Sequence, residues 1–176
     1  DSHWVNLLES KIEHTRFARV DSDSVANLIK KEEAVKPELS EDDKKALEEM
    51  FKAVLPEGND YRIEAENLGE TSAPVLITQS EFMRRYREMS SMGGGMNFYG
   101  SLPESYNILV NMQNPLVLKI WGEKKDAADQ SVADFVAANE LLHQVVDLAL
   151  LSNGMLKGKA LADFVSRSEK FLSEQK

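Results

Sequence analysis

The sequence predicts an α+β fold in which a small three-stranded antiparallel sheet packs with helices and a C-terminal helical hairpin closes the chain. Three observations carry this expectation. Apolar residues recur at helical period near both ends of the chain, and the strongest such pattern fills the last 46 residues. Three short runs in the middle have strand character and are separated by turn residues. The 176 residues, 42% of them apolar, are enough for one domain with a sizeable core.

The elements follow in order. Ser2 can cap a first helix with Trp4, Leu8 and Ile12 along one side, running to about His14. Arg16 to Val20 alternates polar and apolar like a half-buried strand, and Asp21 and Ser22 offer a cap for a short helix carrying Val25, Leu28 and Ile29. Pro37 closes a linker. Ser40-Glu-Asp-Asp43 has capping-box spacing, followed by Leu47, Met50, Phe51 and Val54 at helical period. Tyr61 to Ala65 and Pro74 to Thr78 read as strands joined by a polar turn through Asn67, Gly69 and Glu70.

Ser80 begins a helix with Phe82, Met83, Tyr86 and Met89 on one side and Arg84, Arg85 and Arg87 largely on the other; it dissolves at Gly93-Gly94-Gly95. Tyr106 to Asn111 is a third strand, Pro115 suits the first turn of a short helix through Trp121, and residues 122–130 form a polar linker. One long helix then carries Val132, Phe135, Val136, Leu142, Val146, Ala149 and Leu150 on one side and Leu141, Val145 and Leu148 on a second. Asn153-Gly154 supplies a left-handed stop, after which Leu161, Phe164, Val165, Ser168, Phe171 and Leu172 form the last apolar stripe. This hairpin can fold back on its own domain or pair with a copy of itself as a four-helix bundle, and periodicity leaves both open.

Composition narrows the function. The absence of cysteine excludes a disulfide scaffold, a thiol nucleophile and thiolate metal sites, and fits a reducing cytosol. The longest apolar runs are four residues, as in Leu148 to Leu151, far short of the ~20 a membrane helix needs. A net charge of −9 argues against a nucleic-acid binder. Most of that charge lies in residues 31–70, with 13 acidic and six basic side chains; residues 71–125 have four acidic and six basic. The chain opens on Asp1-Ser2 without an initiator methionine or signal segment, which is the expectation for a piece of a longer protein.

Few residues suggest chemistry. Glu140-Leu-Leu-His143 has the Glu-x-x-His spacing of di-iron bundles, but those sites need two such motifs and two further glutamates, and one copy stands here. A metal-binding enzyme fragment built on Glu140 and His143 is therefore one rival reading, and a structural homodimerization module without a client role is another. His3 and His14 have no ligand partner at metal spacing. No Lys-Ser or Lys-Thr follows the glycine run, and Gly154 with Gly158-Lys159 misses the phosphate-loop spacing, so no active site or bound cofactor is expected.

Five of the seven methionines lie between residues 83 and 112, among Phe82, Tyr86, Phe98 and Tyr99. Unbranched, polarizable side chains repack against many partners.

In this order, Arg16-Phe-Ala-Arg-Val-Asp-Ser-Asp-Ser-Val-Ala-Asn-Leu28, Ser72-Ala-Pro-Val-Leu-Ile77, the methionine-bearing helix from Ser80, the strand leading into Asn114-Pro-Leu-Val117 and the closing hairpin resemble the heat-shock protein 90 chaperones, specifically the C-terminal dimerization domain of the bacterial HtpG type. The resemblance spans essentially the whole chain. It departs where Asn111-Met-Gln-Asn-Pro115 stands in place of the family's Asn-Pro-x-His-Pro, at the glycine-rich loop, and at Ser173-Glu-Gln-Lys176, where cytosolic eukaryotic members end in Met-Glu-Glu-Val-Asp.

The resemblance implies an α+β part over 1–125 and dimerization helices over 126–176. It makes Leu142, Val146, Ala149, Leu150, Leu161, Phe164, Val165, Phe171 and Leu172 candidates for a homodimer interface, some of them necessarily shared with the core of their own chain. Phe82, Met83, Tyr86, Met89 and Met92 become candidates for contact with unfolded or partly folded client proteins. It further implies a cytoplasmic, ATP-dependent chaperone whose ATP and magnesium are bound by an upstream domain. No catalytic residues are expected within this chain, nor any contact with nucleic acid, membrane or tetratricopeptide co-chaperones.

If the methionine patch holds clients, replacing Met83, Tyr86 and Met89 with serine weakens binding of an unfolded protein about tenfold while changing stability by less than about 1 kcal/mol. A large loss of stability in urea titration would instead mark these side chains as core.

Overall fold

A computed structural model describes residues 2–12, 17, 39–79 and 105–174. Within them the helices are α1 (Ser2–Lys11), α2 (Glu41–Val54), α3 (Pro115–Asp126), α4 (Val132–Ala138), α5 (Glu140–Ser152) and α6 (Gly158–Glu174). The strands are β1 (Asp60–Glu66), β2 (Val75–Gln79) and β3 (Ser105–Asn111). The strand and helix expected over residues 16–29 and the helix expected from Ser80 lie outside the described residues, apart from Phe17.

The three strands form one sheet in the order β1-β3-β2. The expectation of an antiparallel sheet is corrected here: β3 pairs antiparallel with β2 but parallel with β1, so the sheet is mixed. β3 lies between the two earlier strands because Ile108, Leu109 and Val110 are apolar on both faces and all three are buried. In register, Ile63, Ile108 and Ile77 stand side by side, as do Ala65, Val110 and Val75. These two rows form the apolar face of the sheet. Tyr61 and Tyr106 pair in the same face with ring centroids 6.0 Å apart.

Helix α2 packs against β1, α5 against β2, and the two helices meet over the sheet, with α4 on α2 and α3 on α5. Leu47, Met50 and Phe51 of α2 are almost wholly buried. Ser40 starts that helix as expected, its hydroxyl accepting from the Asp43 backbone N–H at 3.2 Å. Glu48, on the same helix, accepts from the Ala65 N–H at 3.0 Å and so occupies a backbone donor on the β1 edge. One hydrophobic cluster runs from α2 through the sheet to α4 and α5, so both parts of the chain share a core.

A buried polar knot holds the turn between β1 and β2 against the end of β3. Asn111 is fully buried. Its Oδ1 accepts from the backbone N–H of Leu68 and of Gln113, both at 3.1 Å, while its Nδ2 donates to the Gly69 carbonyl at 2.7 Å. Asn114 donates to the Ser72 carbonyl at 2.9 Å and caps α3 by accepting from the Leu116 N–H. Met112 stands where the family has its first proline; its N–H donates to the Glu66 carbonyl at 2.9 Å, a bond proline cannot make. The departure in this motif thus has a use in the fold.

The long helix expected from Val132 to Leu150 is broken. Its two halves, α4 and α5, are bent by 74° at Asn139. Asn139 caps α5 by accepting from the Leu142 N–H at 2.8 Å, and its amide donates to Glu123 of α3 at 2.8 Å. His143 Nε2 lies 3.0 Å from the Val136 carbonyl and ties the two halves across the bend. α3, expected to stop near Trp121, continues to Asp126, and Lys124 closes the following turn by donating to the Gln130 carbonyl at 2.9 Å. No single helix among the described residues is long and apolar enough to cross a membrane.

Replacing Asn111 with leucine strands at least two backbone N–H groups beneath the β1–β2 turn. The expected loss is about 3 kcal/mol in urea unfolding; a loss below about 1 kcal/mol would mean the turn is held by other contacts.

Candidate dimerization surface

Helices α5 and α6 form an antiparallel hairpin whose connection is set by Gly154. Its φ of +69° is the left-handed conformation that glycine adopts without strain. Gly154 N–H donates to Leu151 O at 3.0 Å and Met155 N–H to Leu150 O at 2.8 Å, the paired bonds of a Schellman stop. Leu156 beyond the turn is buried and anchors the connection to the core.

The two helices divide their faces differently. α5 buries Leu142, Val145, Val146, Ala149 and Leu150 in the core of its own chain. Four of the nine residues expected at a dimer interface, Leu142, Val146, Ala149 and Leu150, are therefore already covered within a single copy. The reason is the bend at Asn139, which turns this side of α5 into the sheet. Leu161, Phe164 and Phe171 of α6 are half-buried, the first two against the edge of that core. Val165 and Leu172 point outward, 46% and 71% exposed. Leu148 and Leu151 of α5, at 49% and 38%, add to the outer surface.

Between the helices runs a polar seam. Glu140 pairs with Lys170 at 2.7 Å. Gln144 donates to the Ser168 hydroxyl at 2.6 Å, and that hydroxyl donates to the Phe164 carbonyl at 2.8 Å. Asp147 pairs with Arg167, both partners largely buried. Burial pushes the Asp147 carboxyl above its ordinary value, outweighing the attraction of Arg167, whereas the hydrogen bond from Lys170 to Glu140 holds the Lys170 ammonium above its own. The seam was missed in sequence. Its signal is the polar set Glu140, Gln144 and Asp147 at i, i+4, i+7 within an otherwise apolar helix.

The same geometry bears on the metal reading. Glu140 is engaged by Lys170 and His143 faces the Val136 carbonyl. Among the described residues no group of three His, Asp or Glu side chains is placed to hold a metal ion. Phe82, Met83, Tyr86, Met89 and Met92, the expected client contacts, lie outside the described residues.

The chain is similar to curated chaperones over nearly its whole length. The chain is 34% identical to the chaperone protein HtpG of Porphyromonas gingivalis strain ATCC 33277 over 98% of its own length. It is 33% identical to HtpG of Bacteroides fragilis strain YCH46 and 32% identical to that of Bacteroides thetaiotaomicron, over 96% of its length in each case. It spans about a third of the length of each of these relatives. No family model matches the chain.

The seam has a pH signature. Because Asp147 is held above its unfolded value, the folded state binds the proton more tightly, so its ionisation opposes folding as pH rises through the window between the two values. The unfolding free energy of the wild type minus that of Asp147→Asn is therefore expected to fall as pH rises from below 3.8 toward neutrality. A difference that grows with pH in parallel urea titrations would contradict this environment for Asp147.

Proposed function

This chain belongs to the HtpG chaperones, and on that premise we propose that it is the C-terminal dimerization and client-contacting domain of an ATP-dependent molecular chaperone of the cytoplasm. The observation that carries the reading is α6. Among α2 to α6 it is the helix with no fully buried residue, although it is 17 residues long and strongly two-faced. An amphipathic helix of this length gains its stability mainly from burying its apolar side. A second copy brought up by a two-fold axis would cover Val165 and Leu172 of α6 together with Leu148 and Leu151 of α5, making a four-helix bundle.

Pairing at this end has a mechanical consequence. Two parent chains joined here hold their remaining parts at high effective concentration, so closure of those parts becomes an intramolecular step. In this reading ATP and magnesium act in the part of the parent outside these residues, and this domain supplies no catalytic residue. The methionine-bearing segment from Phe82 to Met92 is the client contact, supported by its composition and by the family match.

The test leaves the core untouched. Val165→Glu with Leu172→Glu places charge only on exposed positions and is expected to leave the fold unchanged while weakening self-association at least a hundredfold, about 3 kcal/mol. A double variant that sediments as a dimer at the same concentration as the wild type would overturn this surface as the interface.

A further inference from the structure

The polar seam inside the hairpin is poorly made as a source of stability. Gln144 Oε1 and Arg167 Nε are both buried and have no hydrogen-bond partner, although each belongs to a side chain that is bonded through its other atoms. A buried polar atom without a partner costs about 1–3 kcal/mol. A buried ion pair such as Asp147 with Arg167 is often no better than apolar residues of the same size. The expected solution for two amphipathic helices in contact is different: α6 would roll so that more of its apolar stripe faces α5.

Three rungs oppose that roll. Glu140–Lys170, Gln144–Ser168 and Asp147–Arg167 run in antiparallel order along the hairpin, each joining one residue of α5 to one of α6. Held by them, α6 keeps Arg167 and Ser168 toward α5 and Val165 and Leu172 toward the outside. Resting on the dimer reading above, we propose that Gln144, Asp147, Arg167 and Ser168 are positioning residues for self-association. They fix the rotation of α6 so that its apolar side is presented to a second copy of this chain, at some cost to the single chain. Polar groups within an apolar helix contact set register and partner in coiled coils by the same means.

The variant Gln144→Leu, Asp147→Leu, Arg167→Met, Ser168→Ala removes two of the three rungs, Gln144–Ser168 and Asp147–Arg167, keeps most of the bulk and leaves Glu140–Lys170 in place. It is expected to unfold at a temperature no lower than the wild type, yet to show a dimer dissociation constant at least tenfold weaker in sedimentation equilibrium. The control Asp147→Asn with Arg167→Gln, which keeps a polar rung of similar shape, is expected to dimerize within threefold of the wild type. Should the fourfold variant fail to fold, Gln144→Leu with Ser168→Ala is read by the same criterion, since it removes the central rung. A dissociation constant unchanged in the apolar variant, or weakened equally in the control, overturns the positioning role while leaving the dimer intact. A monomeric wild type overturns the dimer reading and this inference with it.

Discussion

The bend at Asn139 determines what each of the last helices can bury. A straight rod through Val132 and Leu150 would carry apolar side chains on two sides and could offer only one of them to the sheet. The 74° turn sends Phe135 and Val136 of α4 and Leu142, Val145, Val146, Ala149 and Leu150 of α5 into the same core. The Asn139 amide holds the turn by capping α5 and reaching Glu123 of α3, and His143 ties the two halves across it. The consequence for α5 is that its richest apolar side belongs to its own chain. What remains for α6 is the polar set at 140, 144 and 147, and what remains for a partner is the strip at Leu148 and Leu151.

The opposite end of the domain is tied by similar chemistry. Asn111 and Asn114 use carbonyl and amide groups to collect the backbone of the β1–β2 turn around the end of β3 and the start of α3. β3, buried on both faces, cannot shift without moving its neighbours on either side. The core between these two ties leaves α6 outside, attached by its seam and by the edge contacts of Leu161 and Phe164. Among the described residues the outer side of this hairpin is an apolar surface that the core leaves uncovered. That is the physical sense in which pairing with a second copy suits it, and the family match supplies the chaperone setting.

Much of this was legible from residue chemistry. Ser40, Asn114-Pro115 and Asn153-Gly154 mark helix ends because each satisfies or avoids a backbone group at a known position. The strands were placed within a residue or so by their apolar alternation. Their order was not, because β1 and β2 are neighbours in sequence and a polar turn joins them, which suggests a hairpin. The continuous run Ile108-Leu109-Val110 is the signal that β3 lies between them, since a strand apolar on both faces needs cover from both. Asn139 was passed over because the apolar period continues through it. Among the candidate interface residues, sequence period identifies an apolar side but cannot say whether the same chain or another copy covers it. Val165 and Leu172 remain open, whereas Leu142 and Val146 do not.

The claim at the centre of this account is that the outer face of the hairpin meets a second copy. Mixing a chain carrying ¹³C-labelled methyl groups with an unlabelled chain, and recording isotope-filtered nuclear Overhauser effects between the two, reads that contact directly. The account predicts intermolecular effects from the methyls of Leu148, Leu151, Val165 and Leu172 and none from Leu142 or Val146. Intermolecular effects confined to other parts of the chain, or none at all, would contradict it.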